Sequence, residues 1–308
     1  MKLLLVDGSA LLHRAYHAYP PLTSKTGEIV GAAYGVVSML VSALELVAPS
    51  HVMVAWDLPK PTFRHEKYLA YKAQRPKADV EMVEQIPLVK ELISAMGIVQ
   101  IEQEGYEADD IIGTLANTFS RQHVDTSARD DVVILTGDQD TMQLVSEKVQ
   151  VLTPPKGQIP AKTFGSAEVI EKYGVNPSQI VDYKALVGDH SDNIPGVAGI
   201  GPTGAAKLIQ EFGTLENIYN NLDKVSERIK EKLIAGKESA FLSQDLSRIV
   251  TDMEIMTEIE KMEYFGLRGE SSQELKQKLE ELGFRSLVKR IFGEEKKEGK
   301  PDLQMGLF

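Results

Sequence analysis

The stretch "GYEADDIIGTL" (105–115) places Glu107, Asp109 and Asp110 within four positions, just ahead of Ile111, Ile112 and Leu115. Carboxylates that close repel one another unless something positive stands among them. Further acids sit at comparable places. Asp7 follows "KLLLV", Asp57 follows "HVMVAW", Asp138 and Asp140 follow "VVILT", and "GDHSDN" (188–193) supplies Asp189 and Asp192. One acid after a strand is commonly a helix cap or turn residue. One or two acids in a first helical turn complement the helix dipole. Three acid-bearing strand ends and a triply acidic helix start exceed what those roles explain. Brought together, Asp7, Asp57, Glu107, Asp109, Asp110, Asp138, Asp140, Asp189 and Asp192 would form an all-oxygen cage suited to hard divalent cations. Mg²⁺ or Mn²⁺ fits such donors, whereas zinc favours His or Cys. Two such ions about 3.5–4 Å apart can flank a phosphoryl displacement. On an ideal helix Glu107 and Asp110 share a face and Asp109 points elsewhere. A common site for all three therefore requires Glu107 to precede the first regular turn.

The elements that must carry these acids are legible as apolar runs. "KLLLV" (2–6), "HVMVAW" (51–56) and "VVILT" (132–136) read as buried parallel strands, with "GIVQI" (97–101) and "VQVLT" (149–153) as two more. Residues 31–47 and 80–97 have helical spacing, the second with Pro87 as a kink and Gly97 as its C-cap. Strand–helix alternation predicts a mostly parallel α/β sheet flanked by helices. In such sheets ligand sites lie beyond the carboxyl ends of the strands, where Asp7, Asp57 and Asp138 fall. After about residue 160 the strands stop, and short segments ("SAEVIEKYG", "PSQIVDYKALVG", "GAAKLIQEFG", "LENIYNNL") read as helices. "IPGVAGIGPTGAAKLI" (194–209) reads as two helices joined by a glycine-rich hairpin. Gly196, Gly199 and Gly201 allow tight turns there, and the following helix N-terminus can hold a phosphate. Residues 121–131 read as a polar loop. The chain divides into an α/β domain (1–160), a helical region (161–292) and a charged, flexible tail (293–308).

The bulk properties narrow the function. The 308 residues include no cysteine, which excludes disulfides, thiol nucleophiles and thiolate metal sites and suits a reducing cytoplasm. The apolar N-terminal run ends at Asp7, too short for a signal core or a membrane span. A cytoplasmic protein is expected. The formal net charge of −11 argues against a nucleic-acid partner when taken alone. Its distribution argues otherwise. Between Lys60 and Lys77 the chain carries Lys60, Arg64, Lys67, Lys72, Arg75 and Lys77 against the single acid Glu66.

The stretches "LLLVDGSALLHRAYHA", "TFRHEKYLAYKAQRP", "GYEADDIIGTLA", "TGDQDTMQLV" and "GDHSDNIPGVAGIGPTGAAKLI" together resemble the 5′ nuclease domain of bacterial DNA polymerase I, within the flap endonuclease superfamily. The resemblance covers residues 2 to about 292 and implies a PIN/Rossmann-like fold with a helical arch over about 58–82. It implies that Asp7, Asp57, Glu107 and Asp109 serve a first metal ion, that Asp109 and Asp110 lie between sites, and that Asp138, Asp140, Asp189 and Asp192 serve a second. Lys72 and Arg75 match arch residues that contact the scissile phosphate. Tyr71 matches a base-stacking position, and Arg14 and Arg64 match phosphate contacts. Residues 186–212 correspond to the family's helix–hairpin–helix, which grips duplex DNA through Gly196, Gly199, Gly201 and Lys207, often with a K⁺ ion. Lys60 and Lys67 are better read as solvated surface.

The implied reaction is two-metal hydrolysis of phosphodiester bonds near the junction of a 5′ single strand with duplex DNA, including flaps and RNA/DNA 5′ ends at nicks, by a monomer. Two rivals are a PIN-type ribonuclease and a non-catalytic binder of DNA structures. The terminal "QMGLF" resembles the short peptide by which bacterial proteins dock on the sliding clamp, with Gln304 at the rim of a pocket that takes Leu307 and Phe308.

Overall fold

The computed structural model describes residues 1–20, 22–122, 131–155, 159–255, 259–267 and 272–293. The loop expected at 121–131 and the tail with Gln304, Leu307 and Phe308 fall largely or wholly outside them. Among the described residues, six strands form one sheet in the order β3-β2-β1-β4-β5-β6. The strands are β1 (Lys2–Asp7), β2 (His51–Trp56), β3 (Val99–Glu102), β4 (Asp131–Leu135), β5 (Val149–Thr153) and β6 (Lys162–Phe164). All pairs are parallel except β5 with β6. The short edge strand β6 corrects the expectation that strands stop at 160. Its three residues carry no readable periodicity.

The helices are α1 (Gly8–Ala18), α2 (Gly31–Val47), α3 (Phe63–Lys67), α4 (Val80–Val83), α5 (Ile86–Ala95), α6 (Ala108–Gln122), α7 (Ser166–Tyr173), α8 (Ile180–Val187), α9 (Pro202–Phe212), α10 (Leu215–Asn220), α11 (Glu227–Ala235), α12 (Lys237–Ser247), α13 (Ser272–Glu281) and α14 (Arg285–Phe292). The strands are apolar on both sides because both faces are covered. Leu3, Leu5, Met53 and Ile134 pack against residues of α6, α8 and α9. Leu4, Val6, Val54 and Leu135 pack against α1, α2 and α5, joined there by Leu275, Leu279, Leu287 and Ile291 of α13 and α14. Successive strand residues thus alternate between two cores, as the pleat requires.

The helix expected over 80–97 is two helices, α4 and α5, with Pro87 in the first turn of the second. The break has a tertiary cause. Gln85 between them is buried, and its Oε1 accepts the backbone N–H groups of Ala32 (2.9 Å) and Ala33 (3.2 Å) at the start of α2. Likewise 194–209 is not two helices. The pair is α8 and α9, and residues 188–201 form the loop between them. Among the described residues, no helix is long and apolar enough to cross a membrane.

Candidate active site

The parallel order β2-β1-β4 puts three strand ends side by side at one rim. Asp7 closes β1 and caps α1, its Oδ1 accepting from the Ala10 N–H at 2.8 Å. Its Oδ2 accepts from the Thr136 hydroxyl just past β4 (2.8 Å), and Thr136 Oγ1 also takes the Asp138 N–H (2.9 Å). Asp57, past β2, accepts the Ala108 N–H at 2.8 Å and so caps α6. Because α6 begins at Ala108, Glu107 stands before the regular turn while Asp109 lies within it.

Asp189 and Asp192 come from the α8–α9 loop. Two glycines make it possible: Gly188 at φ +76° and Gly196 at φ +63° pack backbone to backbone, where a Cβ on either would collide. Asp189 and Ile194 then exchange both backbone hydrogen bonds (2.9 and 2.8 Å), leaving the acids on the enclosed turn.

Mutual repulsion ties the acids into one pit. Burial, followed by the neighbouring Asp57, pushes Asp7 up to about 7, against the Ala10 and Thr136 hydrogen bonds, and Asp138 adds to the rise. Burial raises Asp109 strongly, reinforced by Asp138, Asp7 and Asp57. Asp109 Oδ1 is buried with no hydrogen-bond partner among the described residues. An orphaned buried carboxylate oxygen beside other carboxylates, with no imidazole or thiolate, fits a hard divalent cation.

As the side chains stand, no three acids or histidines among the described residues are arranged to hold a metal. Cations of the chain itself hold part of the pit. Lys72 Nζ lies 3.0 Å from Glu107 Oε1 and 3.8 Å from Asp192 Oδ2, while Arg75 pairs with Asp192. Lys184 on α8 bridges Asp140 and Asp189, 2.8 Å from the latter. Burial works against the charged form of Lys72 and Arg75, but Glu107 and Asp192 for the first and Asp192 for the second leave both raised. Asp189 shows the converse. Burial would raise it, yet Lys184 and Ser191 hold it at about 2.

Several expected roles change in the structure. Asp110 is fully buried, its two oxygens paired with Arg64 Nη1 and Nη2, each at 2.8 Å, and further bonded by the Glu107 and Val250 amides. Asp110 therefore has no oxygen free for a metal, and Arg64, 3% exposed, does not face a phosphate. Tyr71, expected to stack on a base, is buried against Ile194 and Leu246. Its hydroxyl reaches Glu107 Oε2 (3.2 Å) and Asp192 Oδ2 (3.3 Å), and its pKa is raised by burial and by those two acids. Arg14 donates to the Pro154 (2.9 Å) and Pro155 (3.1 Å) carbonyls. Gly196 donates to Ser243 Oγ in the interior, and the Gly199 carbonyl accepts from Lys232 Nζ at 2.7 Å. Gly201 and Lys207 line an open cleft of about 620 Å³ at the start of α9. The arch segment is helical only in α3 and α4. Residues 69–74 form turns against the acid loop, with Lys72 at φ +54°, the Lys72 N–H on the Asp192 carbonyl (3.0 Å) and Asn193 Nδ2 on the Ala70 carbonyl (2.7 Å). Sequence reasoning missed Lys184 and Thr136. A lysine within a helix reads as surface, and only its position five residues before Asp189 hinted otherwise.

Two solved structures share this architecture. T5 5′-exonuclease with bound divalent metal ions (zinc) matches with a TM-score of 0.68 over 91% of this chain and 99% of its own, at 24% identity. The catalytic core of Rad2 in complex with DNA substrate matches at 0.60 over 94% and 91%, at 16% identity. The class of fold is that of these nucleases. By sequence, residues 2–174 match the 5′-3′ exonuclease N-terminal resolvase-like domain and residues 175–276 the 5′-3′ exonuclease C-terminal SAM fold. The 5′-3′ exonuclease of Aquifex aeolicus is 38% identical over 289 residues, which are 94% of each chain. DNA polymerase I of Caldicellulosiruptor bescii is 42% identical over 293 residues, and that of Bacillus subtilis 39% over 302. The chain spans about a third of the length of those polymerases (33%). The chain belongs to the 5′-3′ exonuclease family.

Proposed function

We propose that this chain is a monomeric, structure-specific nuclease that hydrolyses DNA phosphodiesters near the junction of a 5′ single strand with duplex, using two divalent cations, Mg²⁺ or Mn²⁺. The observation that carries the proposal is the convergence of Asp7, Asp57, Asp109 and Asp138 from three strand ends and one helix start, with a buried oxygen of Asp109 left unpartnered. Asp7, Asp57 and Asp109, with Glu107, would hold one ion, and Asp138, Asp140, Asp189 and Asp192 would hold the other. When bound, the pair would supply Lewis acidity to the phosphodiester being hydrolysed.

The remaining roles belong to the protein. Thr136 fixes the Asp7 carboxylate and the Asp138 backbone with one hydroxyl. Tyr71 spans Glu107 and Asp192 and keeps the two walls in register. Lys72 and Arg75 remain charged beside these acids, ready to exchange a carboxylate for a phosphate as charge grows on it. The amino end of α9 with Gly201 and Lys207 is an anion-binding edge for the duplex backbone. A K⁺ ion on the loop carbonyls, cytoplasmic placement and clamp docking through Gln304, Leu307 and Phe308 complete the proposal. Alanine at Leu307 and Phe308 should abolish binding to purified clamp.

A Mg²⁺-dependent cleavage assay on 5′-flap DNA and on single-stranded RNA tests the main claim. Flap DNA should be cut near the junction to leave a 5′-phosphate. Asp138→Ala should lower cleavage by about 10³-fold or more while flap binding persists. Cleavage of RNA alone would favour the ribonuclease, and binding without cleavage the non-catalytic binder.

A further inference from the structure

The pit is electrically lopsided. Asp7 is satisfied by an amide and a hydroxyl, Asp57 by an amide, and Asp109 Oδ1 by nothing. Among the described residues, no ammonium or guanidinium lies within ion-pair distance of these three. The other half is already compensated. Lys184, 7% exposed, holds Asp140 and Asp189 together. Lys184 is one of the buried residues of α8, and its backbone carbonyl accepts the Gly188 N–H at 2.7 Å, which fixes the end of the helix that presents it.

We infer that Lys184 is a built-in counter-cation for one half of the acid pit, so that a divalent ion reaches Asp140 and Asp189 only by displacing its ammonium. The inference rests on the proposed metal-holding role of the pit. A cation entering beside Asp7 and Asp109 has no ion pair to break among the described residues, while one entering beside Asp189 must separate a buried ion pair first. The two ions are then unequal by construction. One binds before substrate arrives, and the second binds weakly until something draws Lys184 away. An incoming phosphate has the charge to do this. Lys184 is a positioning residue in this scheme, since it acts through the acids it holds.

The test is Mn²⁺ titration of the full chain without DNA, read by electron paramagnetic resonance of free Mn²⁺ and by calorimetry. The wild type should show one tight and one weak ion. Lys184→Met keeps the stem and removes the charge. It should tighten the weak ion by about tenfold or more and leave the tight one within about threefold. Lys184→Arg should behave as the wild type. Circular dichroism checks that the Met variant folds. If it does not, Lys184→Gln takes its place, and a Mn²⁺-soaked wild-type crystal must show the ammonium displaced wherever an ion sits on Asp189. Unchanged Mn²⁺ binding in a folded variant, or two equally tight ions in the wild type, would overturn the inference, as would a loss confined to DNA affinity. No Mn²⁺ binding by the wild type would instead remove the metal-holding role on which it rests.

Discussion

Replacing Arg64 by alanine should unfold much of this protein's stability rather than weaken its hold on DNA. The guanidinium is 3% exposed and Asp110 is 0% exposed. Two parallel contacts of 2.8 Å join them. Arg64 Nε also donates to the Leu246 carbonyl at 3.1 Å and Nη2 to the Arg248 carbonyl at 2.8 Å, so one side chain ties α6 to the end of α12. Truncation leaves a buried carboxylate with only the Glu107 and Val250 amides as donors. Removing one partner of a buried pair costs about 3–5 kcal/mol. Two interior carbonyls lose a charged donor as well, each a loss of about 1–3 kcal/mol when not rehydrated. Even the low end of that sum, about 5 kcal/mol, is a large share of the ~5–15 kcal/mol typical of a domain. Urea denaturation followed by Trp56 fluorescence and circular dichroism measures it. Arg64→Met with Asp110→Leu should recover most of the loss, because neither charge is then stranded. Stability of Arg64→Ala within about 0.5 kcal/mol of wild type, together with a shallower salt dependence of DNA binding, would refute the reasoning and return Arg64 to the phosphate.

The raised Asp7 pKa sets a pH dependence. Between 3.8 and about 7 the folded chain keeps a proton that the unfolded chain has released, so stability falls as pH rises through that window. A cation entering the pit should expel that proton. Calorimetry of Mn²⁺ binding at about pH 6 in buffers of different ionisation heat should find protons released, with the Asp7 share falling away above about pH 8, and zero release at the lower pH would contradict the burial of Asp7. Lys72→Ala should lower kcat by about 10²-fold with little change in flap affinity, and a loss confined to affinity would make it a surface contact. Gly196→Ala, which adds a Cβ against the Gly188 backbone at φ +63°, should cost about 3 kcal/mol or more, seen as a lowered urea midpoint. An unchanged midpoint would mean that the two glycines do not pack as described.

The limits of sequence reading are specific to particular residues. β2 begins and ends where its apolar run does, since a strand buried on both faces needs no alternation to be visible, and β5, with Gln150 exposed, also keeps its expected bounds. Glu107 stands before α6, the placement expected if all three acids shared a site, although Asp110 turns away to Arg64. What stayed hidden depends on contacts between distant segments. Arg64 and Asp110 are 46 positions apart, and no local pattern separates a buried partner from a solvated arginine. Tyr71 among basic residues invited a base-stacking role, yet its ring is covered by Ile194 and Leu246, far along the chain. Gln85 breaks a helix because it caps another one 53 residues earlier.

The most direct test of the central claim is anomalous diffraction from a crystal soaked in Mn²⁺. The acid pit should show two peaks, one beside Asp7 and Asp109 with Asp109 Oδ1 now ligated, and one beside Asp138 and Asp189. A pit without Mn²⁺, or ions found only on the outer surface, would contradict it.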